Sequence, residues 1–135
     1  KGYLYVTKVW KSETIEFEFP LSIQLFDADS RVREDIGKVA LMRGPVVYCL
    51  EEADNGKDLH MLKVLEDSEF QTEKSKIATE PVIIKSKGLR QKKKKIPSLY
   101  GIYEKAEYEE VILTWIPYYA WSNRGEGEMQ VWTRI

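Results

Sequence analysis

Reactive and metal-binding side chains are scarce in this 135-residue sequence, which holds one cysteine and one histidine. A lone Cys49 excludes an intrachain disulfide. Cys49 and His60 together fall short of the four Cys or His ligands of a structural zinc site, so no metal and no cofactor are expected. Charge of one sign is also missing: 21 basic residues stand against 22 acidic ones, a net charge of -1. That balance gives no general pull toward nucleic acid or an anionic membrane, and neither is expected as a partner. Long apolar runs are absent as well. The longest, residues 111–121, is broken by Thr114 and Pro117 and stays far short of the ~20 residues that cross a bilayer. The opening residues Lys1, Gly2, Tyr3, Leu4, Tyr5 and Val6 show neither an initiator Met nor the basic-then-apolar profile of a signal peptide. They read as the start of a strand, in a chain cut from the middle of something longer. The compartment is left open, with a bacterial cytoplasm as the default expectation.

What the sequence does hold is material for one core. Its apolar fraction is 43%, in a length typical of one domain, so residues 1–135 are read as a single domain. The dominant rhythm is period two, the mark of half-buried strands. Ile15, Phe17 and Phe19 fall on one face of such a strand, and Glu16 and Glu18 on the other. Residues 3–10, 14–19 and 22–26 read as strands, as do 38–42 and 46–50. Between the last two, Arg43, Gly44 and Pro45 form a break short enough to bend one long strand between two sheets. Asn55 and Gly56 mark a tight turn. Shorter strands are expected at 59–65, 69–72, 81–85, 110–116 and 129–135. Residues 89–103, with their lysine run, are the least structured stretch, and 104–110 carries at most one helical turn. Many short strands with Gly, Pro and Asn punctuation predict an all-β fold, an antiparallel β-sandwich of jelly-roll type with short irregular loops.

No catalytic constellation stands out. Glu126 and Glu128 are the tempting pair, but glycosidase carboxylates face each other across a sugar at ~5–9.5 Å. Two glutamates two positions apart in a Gly-rich turn point side by side into water. Cys49 lies in an apolar stretch, Val46 to Leu50, with nothing adjacent to lower its pKa; a buried, inert thiol is expected. Lys92, Lys93, Lys94 and Lys95 form a basic block without the interleaved aromatics of a nucleic-acid surface. The acidic residues between 104 and 110 can neutralise it locally.

The aromatic C-terminal region is more informative. Trp115, Tyr118, Tyr119, Trp121 and Trp132 fall within eighteen residues. Such rings fill a core, cover an interdomain interface, or stack on sugars. Core or interdomain packing is the leading reading, and a sugar platform built from Tyr118, Tyr119 and Trp121 is the rival.

Three blocks carry a family resemblance, the first two of them specific. Residues 116–132 run Ile116, Pro117, Tyr118, Tyr119, Ala120, Trp121, Ser122, Asn123, Arg124, Gly125 and on through Met129, Val131 and Trp132. This block closely resembles the C-terminal signature of glycoside hydrolase family 127, the β-L-arabinofuranosidase-like enzymes. Residues 37–51, from Gly37 through Arg43, Gly44, Pro45, Tyr48 and Cys49 to Glu51, resemble the same family, as do Gly2 to Trp10 with Phe19, Pro20 and Leu21. The chain departs from the family pattern at Ala78, Thr79, Glu80 and Pro81, where a Gly-Gly turn is usual. The resemblance implies a parent enzyme with a catalytic α/α-barrel followed by β-sandwich domains, in which this chain is a non-catalytic, C-terminal accessory domain. The catalytic barrel is then its expected partner, with a homo-oligomer or a carbohydrate as further candidates. The family's catalytic glutamate and zinc-bound cysteines lie upstream of this segment, so Cys49 inherits no role. Residues 1–27 are candidates for the last strands of a preceding sandwich. Tyr118, Tyr119, Trp121, Asn123 and Arg124 are the candidate interface or sugar-contact residues.

Overall fold

A computed structural model describes residues 2–76, 81–94 and 98–135. Nine strands follow in order: β1 (Ile23–Asp27), β2 (Lys38–Arg43), β3 (Val46–Glu51), β4 (Leu62–Val64), β5 (Phe70–Lys74), β6 (Val82–Gln91), β7 (Tyr108–Pro117), β8 (Met129–Gln130) and β9 (Thr133–Arg134). One helical turn, α1 (Glu52–Asn55), follows β3, and single 3-10 turns lie at Leu59–Met61 and Tyr118–Ala120. The all-β expectation holds. The departure from the family pattern at 78–80, and Lys95, Ile96 and Pro97 of the predicted irregular stretch, lie outside the described residues.

The sheet differs from a jelly-roll sandwich. It is one hydrogen-bonded sheet, and six of its strands close a ring in the order β2, β9, β4, β6, β7, β3 and back to β2. Every contact in the ring is antiparallel except the short parallel pairing of β4 with β9. β1 flanks β2, β5 flanks β6 and β8 flanks β3. Alternation along a strand reports which residues face inward; it does not report whether the first and last strands meet. A barrel and a sandwich therefore share one sequence pattern.

Closure depends on a corner that the sequence reading took for a bend. Arg43 pairs with Val46 and Met42 with Val47, so Gly44 and Pro45 form a two-residue hairpin loop. Gly44 has φ +55, and a glycine with positive φ at the first loop position is what a type II′ turn requires. Beyond that corner β2 and β3 part: β2 turns to β1 and β9, β3 to β7 and β8.

The core follows the alternation. Val39, Leu41, Tyr48, Leu50, Leu62, Val64, Ile84, Leu113 and Trp115 fill the barrel. The Trp115 indole donates to Ser86 Oγ at 3.0 Å, and the Tyr48 hydroxyl to the Val82 carbonyl at 2.8 Å, so the polar tips of both large rings are satisfied. Cys49 points the other way, and a second cluster with Ile83 and Ile116, backed by Met129 and Val131, covers it. That cover explains why residues 46–50 are apolar on both faces. Gly88 is required by a close approach: a Cβ there would lie 2.5 Å from Leu113 Cδ1 and 2.8 Å from the Lys63 carbonyl.

Four local expectations are corrected. Residues 3–10 and 14–19 form no strand, because no neighbouring strand pairs with them; the first ladder residue is Ile23, opposite Arg43. Residues 89–91 belong to β6, and 108–110 to β7 rather than to a helical turn, because each finds its partner in the other: Leu89, Arg90 and Gln91 face Glu110, Glu109 and Tyr108.

Candidate functional site

The C-terminal block forms a corner at the end of β7. Pro117 closes the strand opposite Tyr48, and the 3-10 turn Tyr118–Ala120 swings the chain outward. Ala120 is fully buried, whereas Tyr118, Tyr119 and Trp121 are 45%, 64% and 36% exposed. The five aromatic residues thus split. Trp115 is core, Trp132 is half-buried, and the three rings of the corner face outward. The Tyr118 and Trp121 rings are 6.3 Å apart and tilted by 45°, which is not the flat row that stacks on a sugar face.

Asn123 and Arg124 serve the chain itself. The Asn123 side-chain amide donates to the Ala120 carbonyl at 3.1 Å, closing the turn. Arg124 reaches across to the β3–α1 junction, donating through Nη1 to Asp54 Oδ1 at 2.7 Å and through Nη2 to Asp54 Oδ2 and Glu51 Oε2. Glu51 is buried, and its other oxygen accepts the Ser122 backbone N–H at 2.9 Å. A buried carboxylate without a cation would be costly, so Glu51 fixes the position of Arg124. The two carboxylates, Asp54 first, hold the guanidinium pKa above its ordinary value. A cup of about 400 Å³ lies beside this latch, lined in part by Asp54, Lys76, Asn123 and Arg124.

Glu128 corrects the solvated-turn expectation. Its carboxylate accepts the backbone N–H groups of Leu59 at 2.8 Å and Asp58 at 3.1 Å. These bonds pull its pKa below the ordinary carboxylate value. In return Glu52 accepts the Glu128 N–H at 3.0 Å, and the Glu128 carbonyl accepts the Glu52 N–H at 2.9 Å. Glu126 remains exposed. Sequence reading also missed Asn55, which acts as a substitute strand partner: its amide exchanges two 2.9 Å bonds with the Thr114 backbone. The Asn-Gly dipeptide announced only a turn.

The Cys49 thiol is buried, and the described lysines of the basic block are paired. Burial, with the Glu51 charge adding to it, pushes the Cys49 thiol up to about 12. Lys92 pairs with Glu107 at 3.3 Å and Lys93 with Asp58 at 2.6 Å, while Lys94 donates to the Glu104 carbonyl. Among the described residues, no three His, Cys, Asp or Glu side chains converge as a metal site would need.

An all-β barrel with an aromatic corner, whose conspicuous acids and arginine bind each other and the backbone, is the class of domain these features define. The chain belongs to the glycoside hydrolase family 127 C-terminal domain family, whose profile matches residues 23–134. It is 32% identical over 141 aligned positions to a curated non-reducing end beta-L-arabinofuranosidase of Bifidobacterium longum subsp. longum, covering 98% of this chain and 21% of that protein. Among solved structures it resembles a family 127 beta-L-arabinofuranosidase from Geobacillus stearothermophilus, at 38% identity and a TM-score of 0.79, with 86% of this chain and 18% of that chain covered. A further family 127 beta-arabinofuranosidase matches at 32% identity and a TM-score of 0.72, covering 85% of this chain and 17% of that one. The chain spans about one fifth of the length of these relatives.

Proposed function

We propose that this chain is the C-terminal accessory domain of a longer glycoside hydrolase acting on L-arabinofuranosides, and that it has no reaction of its own. In this reading the corner at 118–121 packs against the catalytic barrel or other polypeptide preceding the domain. Residues before Ile23 then complete a sheet of that preceding body, where Ile15, Phe17 and Phe19 find cover. The carboxylates Glu51, Asp54 and Glu128 are spent on the domain's own architecture, which supports a non-catalytic role.

One observation carries the reading. The exposed corner follows Pro117, whose partner Tyr48 lies three residues past the Gly44–Pro45 loop that Leu21 and Ser22 approach. The Gly44 backbone N–H donates to the Ser22 carbonyl at 2.9 Å, and Leu21 sits over Gly44. Exposed apolar rings beside an arriving chain suit an interdomain contact. The tilt between Tyr118 and Trp121 speaks against the sugar-platform alternative.

Tyrosine nitration of the native full-length protein, mapped by mass spectrometry, tests this. Tyr119 should resist tetranitromethane in the full-length protein and react in the excised domain. Equal reactivity in both would remove the packing role.

A further inference from the structure

The β6–β7 hairpin continues past its ladder. The Lys92 backbone N–H donates to the Glu107 carbonyl at 2.9 Å, one step beyond the Gln91–Tyr108 pair, and the Lys94 ammonium lies 5.7 Å from the centre of the Tyr103 ring. The stem is charged on both sides: Lys92 pairs with Glu107, Lys94 donates to the Glu104 carbonyl, and Lys93 reaches Asp58. The end of this arm is apolar: Leu99, Tyr100, Ile102 and Tyr103 are 94%, 89%, 95% and 86% exposed. Four large apolar side chains within five residues, standing almost wholly in water on a charged stem, have the form of an anchor with a polar rim.

The arm is remote from the 118–121 corner. Tyr108 roots the arm and Pro117 precedes the corner, at opposite ends of the ten-residue β7. At about 3.3 Å per residue they are about 30 Å apart, so a contact confined to the corner end leaves the tip bare.

We propose that the arm tip is a second docking point, separate from the corner, and that its occupant is the polypeptide preceding this domain in the same longer chain. This rests on the accessory-domain reading above. The relative matched over nearly the whole of this chain is about five times as long. The preceding portion of such a protein would be a body about 60 Å across, large enough to lie along the barrel and reach both ends. A second copy held by the tip alone fits less well. Four such side chains cover at most about 700 Å², short of the ~800 Å² per partner of a standard stable interface. The domain would then be gripped at both ends, which holds its orientation against the preceding body in a way one contact cannot.

Nitration of the full-length protein across a hundredfold dilution tests the proposal. Tyr100 and Tyr103 should stay unmodified at every concentration, and a Leu99→Ser/Ile102→Ser variant should restore their reactivity while Tyr119 stays protected. The tip residues are exposed in the isolated barrel, so the variant should leave the fold intact; an unchanged near-ultraviolet spectrum checks that. Nitration of Tyr100 and Tyr103 with Tyr119 protected overturns the second docking point and leaves the accessory role standing. Protection that fades on dilution overturns it in favour of a second copy. Nitration of Tyr119 in the unsubstituted full-length protein removes the corner contact, and with it the two-ended grip proposed here.

Discussion

Arg124 and Asp54 are held together across seventy residues of sequence by a paired hydrogen bond, with Arg124 Nη1 2.7 Å from Asp54 Oδ1. The same guanidinium neutralises the buried carboxylate of Glu51. The latch joins the end of β3 to the loop after β7 and holds the exposed corner at a fixed angle to the barrel. Its removal leaves Glu51 charged and buried without a cation. Arg124→Ala should therefore destabilise the domain by about 3 kcal/mol, read from urea unfolding. Arg124→Lys should recover only part of that, since an ammonium cannot make the two-pronged contact.

Acid should weaken the second tie, between Glu128 and the backbone of Asp58 and Leu59. A carboxylate whose folded pKa is depressed stabilises the protein above its unfolded pKa, and that contribution is lost as pH falls through the folded value. Glu128 lies below its ordinary 4.5 when folded. Stability should therefore fall below about pH 4.5, and Glu128→Gln should flatten that part of the profile. A variant profile parallel to that of the parent would show that the carboxylate does not contribute.

Alkali should act through Cys49. Its thiol is pushed up to about 12, so the fold favours the neutral form. The resulting stability is complete below the unfolded value near 9 and is lost as pH rises from there to about 12. At pH 8 the native thiol should be inert to Ellman's reagent and react at once in urea. Rapid native labelling would contradict the buried placement.

Gly88→Ala should destabilise by about 1–3 kcal/mol through overpacking. Leu113 is itself core, so Leu113→Ala should cost less in the Gly88→Ala background than alone. The Lys63 carbonyl, a backbone atom, is the second obstacle, and strictly additive losses would show that the Leu113 contact is not the one that matters.

Much of this was legible beforehand, and the failures have physical causes. The strands β2, β3 and β7 were legible as apolar runs, and the buried Cys49 from apolar neighbours on both sides. Residues 14–19 alternate and 3–10 are rich in strand formers, yet neither forms a strand, because a strand needs a partner and none pairs with them. Ring closure escaped notice since period-two patterning carries no information about which edges meet. Arg124 was singled out as a contact residue, but its partners at Glu51 and Asp54 lie too far away in sequence for spacing to reveal. Glu128 was read as a solvated turn residue because its acceptors' partners, the N–H groups of Asp58 and Leu59, leave no mark in the side-chain sequence.

The docking role of the corner is tested most directly by calorimetry of the full-length protein with and without Tyr119→Ser and Trp121→Ser. Tyr119 is 64% exposed in the isolated barrel and Trp121 36%, so the domain alone should lose about 1–2 kcal/mol, from the covered part of the Trp121 ring. In the longer protein the pair should lower the melting temperature of the preceding body as well as of this domain. An unchanged melting profile of the full-length protein would contradict the account.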